Sequence, residues 1–218
     1  MKYFDITPLI SEKLAVFPGD TPFSRNILMD FKKGQHLLFS SIQTTVHLGA
    51  HADSSGHYHV MGEGIEKRPL EPYLGQCQVV EVSTKKGHRI LPKDLKSPIE
   101  ADRVLFKTGS FPDPHHWNSD FSSLSPELIE FLAEKKVSLV GIDTPSVDPE
   151  DSKGLESHQS IFKYKMCILE GIVLDKVPAG LYTLVALPLP IENCDASPVR
   201  AILLENSQLI RSSLIPAE

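Results

Sequence analysis

The sequence predicts an α/β fold in one domain, 1–218, on three observations. A capped amphipathic helix, Ser125–Lys136, runs directly into an apolar segment, Val137–Asp143, and a helix feeding a strand marks α/β architecture. Other segments rich in Val, Ile, Leu and Thr, bounded by Gly, Pro or Asp, recur along the chain and read as strands. The length, 218 residues, suits a single globular unit.

In chain order, the first strand-like segment is Leu38–His47, followed by Gln78–Ser83 and Arg103–Lys107. The helix Ser125–Lys136 has the clearest start signals. Ser125 can accept from an early backbone N–H, Pro126 suits the first turn, and Glu127 favours the positive end of the dipole. Leu128, Ile129 and Leu132 supply its apolar face, with Lys135 and Lys136 at its negative end. Val137–Asp143 follows as a strand, then a shorter helix at His158–Lys165, then strands at Ile172–Asp175 and Leu181–Leu187. The 17 prolines and 13 glycines are scattered, which implies many short connections and no long linker.

Composition narrows the function classes. Hydrophobic residues make up 41% and charged residues 23%, enough for an ordinary core. The formal charge is -6 and no basic run occurs, which argues against nucleic acid as a partner. The segment MKYFDITPLI lacks a long apolar stretch, and no run of 18 apolar residues appears. Neither a signal peptide nor a membrane span is expected. Cys77, Cys167 and Cys194 match no CxxC knuckle and no disulfide framework. They read as reduced thiols in a cytoplasmic protein.

The stretch Val46–His59, VHLGAHADSSGHYH, concentrates four of the nine histidines and an aspartate. Imidazole with carboxylate suits zinc or a similar divalent metal, whereas purely structural zinc sites draw more on Cys. In an extended strand, at ~3.3 Å per residue, His47 and His51 would lie roughly 13 Å apart. Bonds of about 2.0–2.2 Å to one metal do not span that distance. The chain is therefore expected to end a strand near His47 and to turn at Gly49, which tolerates unusual backbone angles. Asp53 and His57 would follow on the resulting loop. The alternative is a polar surface loop whose histidines bind nothing. Catalytic zinc generally uses three protein groups, so further ligands are required. His158 and Glu170 are downstream candidates, although an isolated His or Glu is more often a solvated helix residue. Asp143 ends an apolar strand but precedes Thr-Pro, and it is read as a turn residue.

His47-Leu-Gly-Ala-His51-Ala-Asp53-Ser-Ser-Gly-His57 resembles the HxGTHxDxPxH signature of the cyclase-like metal-dependent hydrolases. Phe17-Pro-Gly-Asp-Thr-Pro-Phe23, Pro69-Leu-Glu-Pro-Tyr-Leu-Gly75, Gly141-Ile-Asp-Thr-Pro-Ser146, Asp151-Ser-Lys153, Ile168-Leu-Glu-Gly-Ile-Val-Leu-Asp175, Val177-Pro-Ala-Gly180 and Asp195-Ala-Ser-Pro-Val-Arg200 look like its bacterial kynurenine formamidase branch. The resemblance implies a swivelling β/β/α fold with a β-rich core flanked by helices. It also implies a cytoplasmic homodimer or higher homo-oligomer, acting on a small aryl formamide, N-formyl-L-kynurenine, to give L-kynurenine and formate in tryptophan degradation. Two divalent metal ions are implied, zinc first and manganese as the alternative. His47 and His51 would hold one and His158 the other, Asp53 and Glu170 would touch both, and His57 would move the proton. Phe17 would contact substrate.

Three departures stand out: Ala50 for the signature's Thr, Ser55 for its Pro, and Phe17 for a Trp. None removes a ligand implied by the resemblance. Two rival readings follow. One is a related cyclic-amide hydrolase such as an isatin hydrolase, with the pocket around Phe17 deciding. The other is a metal-binding module that has lost activity.

Overall fold

A computed structural model describes residues 2–205; Met1 and residues 206–218 lie outside the described residues. In chain order the strands are β1 (Tyr3–Asp5), β2 (Ser24–Met29), β3 (Phe39–Gln43), β4 (His51–Asp53), β5 (Leu74–Glu81), β6 (Arg89–Ile90), β7 (Arg103–Lys107) and β8 (Ser123–Leu124). Then come helix α1 (Pro126–Glu134), β9 (Leu139–Ile142), helix α2 (Glu156–Lys163), β10 (Cys167–Glu170), β11 (Gly180–Val185), β12 (Ala196–Pro198) and β13 (Ile202–Glu205). The mixed α/β architecture matches the expected class.

Nine strands form one sheet in the order β1-β13-β11-β5-β7-β9-β10-β4-β12. Its centre, β5-β7-β9-β10, is parallel and both flanks are antiparallel. Parallel neighbours need a crossover, and α1 and α2 supply the last two. The central strands are buried on both faces, so they read as continuous apolar runs. Val104, Phe106, Val140, Ile142 and Ile168 pack under Leu128, Ile129 and Leu132 of α1 and Ile161 of α2. Leu105, Leu139, Cys167 and Leu169 face the opposite core with Ile6, Tyr73 and Leu184.

The Ser125 signal holds: its hydroxyl accepts from the Leu128 N–H at 3.1 Å. Several boundaries differ from expectation. The strand expected at Leu38–His47 stops at Gln43, and the helix expected to reach Lys136 ends at Glu134, with Lys136 at φ 64°. The second helix begins two residues before His158. The strand expected at Ile172–Asp175 does not form. Gly171, at φ 64°, turns the chain at the end of β10, and Ile172 and Leu174 are buried as irregular chain. Asp53 was expected on a loop but sits in strand β4, because Ala52 and Asp53 pair with both β10 and β12.

Candidate metal centre

The site forms where β4, β10 and the start of α2 meet. Glu170 is the last residue of β10, and open α/β sheets place chemistry at the carboxyl ends of parallel strands. The antiparallel register sets Glu170 opposite His51 and Ile168 opposite Asp53. His47 reaches the same point because Gly49 turns the chain at φ 56°. A Cβ on Gly171 would meet the Gly49 carbonyl at 2.1 Å. Two glycines thus let the turn before β4 lie against the end of β10.

Three imidazoles share one arrangement: one ring nitrogen is tied down and the other faces Asp53. His51 Nδ1–H donates to the Gly49 carbonyl at 2.8 Å, leaving Nε2 3.5 Å from Asp53 Oδ1 and 3.2 Å from Glu170 Oε2. His158 Nδ1 bonds Asp148 at 2.7 Å, and its Nε2 lies 3.5 Å from Asp53 Oδ2 and 3.7 Å from Glu170 Oε1. His47 Nε2 bonds Asp195 at 2.9 Å, with Nδ1 3.1 Å from Asp53 Oδ1. Fixing one nitrogen sets the tautomer and ring orientation of a metal ligand.

Asp148 is itself held in place. It accepts from the Ser157 and His158 backbone N–H groups at the start of α2, and Arg89 Nη1 donates to it at 2.6 Å. Burial pushes its carboxyl up, but the His158 ring, followed by the His158 and Ser157 backbone N–H groups, draws its pKa down to about 2. Glu170 Oε1 accepts from the Val147 N–H at 2.7 Å.

Buried polar atoms are normally paired. Among the described residues, His51 Nε2, His158 Nε2 and both Asp53 carboxylate oxygens are buried without a hydrogen-bond partner. His51 Nε2 faces Asp53 Oδ1 and His158 Nε2 faces Asp53 Oδ2, each at 3.5 Å, with Glu170 beside both rings. Nitrogen and carboxylate donors so gathered suit a divalent metal, and His47, His51 and Asp53 form one set spaced to hold an ion.

The electrostatics agree. Burial disfavours charge on His158, yet Asp148, Asp53 and Glu170 outweigh it and raise its pKa to about 10. His47 rises to about 9 in the same way: burial opposes, and Asp53 and then Asp195 prevail. Burial pushes Asp53 up, but the surrounding histidines hold it well below the usual carboxylate range. The neighbouring charges here call for positive charge at the centre. His57 differs, since burial lowers its pKa and leaves a neutral ring. Its centroid is 4.2 Å from that of His47 and 6.1 Å from that of His158.

All six polar residues singled out from the sequence are therefore brought together. Phe17 also lines the cavity of about 590 Å³ into which His47, His51, His57, His158 and Glu170 open. Asp143 lines it too, but its carboxylate accepts from Thr108 and Gly109 and holds that turn. Sequence reasoning assigned no role to Asp195, Asp148 or Trp117. Asp195 lay in a block noted for resemblance. Trp117, the chain's one tryptophan, was the most visible signal left unread.

The Cyclase family model matches residues 4–149. The chain is 42% identical to kynurenine formamidase of Bordetella petrii over 206 residues, covering 94% of this chain and 98% of that protein. A solved structure described as a potential metal-dependent hydrolase with cyclase activity shares 28% identity at a TM-score of 0.80, covering 93% of this chain and 96% of that one. Isatin hydrolase A of Labrenzia aggregata, 21% identical at a TM-score of 0.76 with 93% of each chain covered, shares the fold.

Proposed function

The chain belongs to the Cyclase family, and from that premise we propose that it hydrolyses N-formyl-L-kynurenine to L-kynurenine and formate. The observation that carries this reading is the near full-length likeness to kynurenine formamidase. The buried, partnerless donor atoms around Asp53 support the metal dependence.

In this reading two divalent ions are held, zinc before manganese. His47 and His51 would hold one and His158 the other, with Asp53 and Glu170 as the carboxylates serving both. When bound, the ions supply Lewis acidity and make water acidic enough to deprotonate near neutral pH. His57 carries the proton. Burial keeps its ring neutral, so it can accept a proton from the attacking water and return it to the departing aryl nitrogen. Asp195 Oδ2, 3.7 Å from His57 Nδ1, favours the imidazolium formed between those two transfers. Phe17 contacts the aryl side of the substrate from the cavity wall.

The working unit is a homodimer or higher homo-oligomer. The β2–β3 hairpin leaves Phe31, Phe39 and Ile42 more than half exposed, and apolar surface of that extent favours burial against another chain. A cytoplasmic setting fits the free thiols of Cys77, Cys167 and Cys194. No helix among the described residues is long and apolar enough to cross a membrane.

The decisive experiment measures hydrolysis of N-formylkynurenine and of isatin on one metal-loaded sample, before and after chelation and metal add-back. Formamide turnover that disappears with chelator and returns with metal is expected. Preference for isatin, or activity indifferent to chelator, would reject the reading.

A further inference from the structure

The cavity has a wall that the metal and proton chemistry leaves unused. Phe17 and Trp117, from distant parts of the chain, both line it, with centroids 5.2 Å apart and planes at 72°. Trp117 is held in place: its Nε1–H donates to Glu150 at 2.8 Å, and Phe111 and Phe121 lie edge-on at 5.7 and 6.0 Å. An indole restrained at its polar end and along its edges offers a fixed apolar surface. Phe17 is 40% exposed and leaves that side of the cavity open to a ligand ring.

We propose that Trp117 forms, together with Phe17, the subsite that grips the aryl ring, and that this pair sets a preference for aryl over alkyl formamides. The inference rests on the formamidase reading and names the residue that selects the substrate class within it. The metal ions would act on the formyl carbonyl and His57 on the amide nitrogen, groups that every formamide carries, so neither contacts the rest of the amine. Discrimination must come from contacts on the amine side. Ring-to-ring contact favours an aryl group over an alkyl group of similar size. Such contacts exist before and during the reaction, so they act on KM and not on kcat.

With no other tryptophan in the chain, intrinsic tryptophan fluorescence reports on this subsite. Titrating metal-loaded protein with the aryl amine product should quench it, and an alkyl amine of similar size should not. Trp117→Ala should raise KM for the aryl formamide about tenfold and leave kcat within about twofold. Its kcat/KM for an alkyl formamide should fall by much less, and Trp117→Phe should recover most of the loss. Absence of quenching by the aryl amine, or a parental aryl-to-alkyl ratio in both variants, would overturn the proposal. Quenching in a parent protein that hydrolyses no aryl formamide would reject the formamidase reading and leave the subsite standing. Hydrolysis with parental KM in both variants would do the reverse.

Discussion

His51 and Glu170 stand directly opposite each other across the β4–β10 ladder, with His51 Nε2 3.2 Å from a Glu170 carboxylate oxygen. Because backbone pairing sets this spacing, the two side chains meet without a long flexible reach. A one-residue slip of register would turn one of them to the other face. The site is therefore a product of the sheet itself.

Glu170→Gln should abolish tight metal binding and leave the fold intact. The amide keeps the shape and can still accept from the Val147 N–H, but it loses the charge that faces His51 and His158. The affinity loss should exceed the roughly 10–100-fold typical of groups that only orient ligands. Chelator competition measures it, and a parental affinity would exclude Glu170 as a ligand.

His57→Ala should separate metal from turnover. His57 has the lowered pKa of a ring disfavouring charge, unlike His47 and His158, which are drawn towards the carboxylates. Metal content should stay parental and kcat should fall by about 10²–10⁴-fold, the usual range for general acid–base groups. Full turnover at unchanged metal content would remove the assigned role.

How much of this was legible depended on distance along the chain. Helix α1 was readable because its start signals and apolar face lie within a few residues, and Arg103–Lys107 was readable as a continuous apolar run. The His47–His57 cluster was visible for the same reason. His158 and Glu170 were not distinguishable on their own, because β10 joins β4 across more than a hundred residues of sequence. Apolarity misled at Ile172–Asp175, where the positive φ of Gly171 ends the strand. Asp195 depends on the pairing of Ala196 with Asp53, which no local pattern announces.

Metal binding should release protons. His158 and His47 have folded pKa values of about 10 and about 9, above the unfolded value near 6.5. In chelator-treated protein their stabilising contribution is therefore complete below about pH 6.5 and is lost as pH rises through 9 to 10. Each ion needs its own ring neutral, so near pH 8 loading both sites should expel about two protons. Calorimetry in buffers of differing ionisation enthalpy counts them. The melting temperature of chelated protein should also fall more steeply than that of loaded protein from pH 7 to 10. Parallel curves and no proton release would contradict the assignment of these rings as ligands.

Asp195 should control both metal and proton. The Ser54 N–H donates to its backbone carbonyl at 2.9 Å and the Ala196–Asp53 pairing follows, so its position is set by the sheet. Its carboxylate bonds His47 Nε2 at 2.9 Å and lies 3.7 Å from His57 Nδ1, between two rings whose centroids are 4.2 Å apart. Asp195→Ala frees His47 to change tautomer and His57 to rotate. Metal affinity should drop about tenfold or more, as it does when a carboxylate behind a ligating histidine is lost. At saturating metal, kcat should still be reduced, because His57 has lost the charge that favours its protonated form. Asp195→Asn keeps an acceptor for His47 and should restore most of the metal affinity while kcat stays low. The side chain is half exposed, so neither variant should unfold the protein. Parental affinity together with parental kcat in Asp195→Ala would show that the two histidines are held without it.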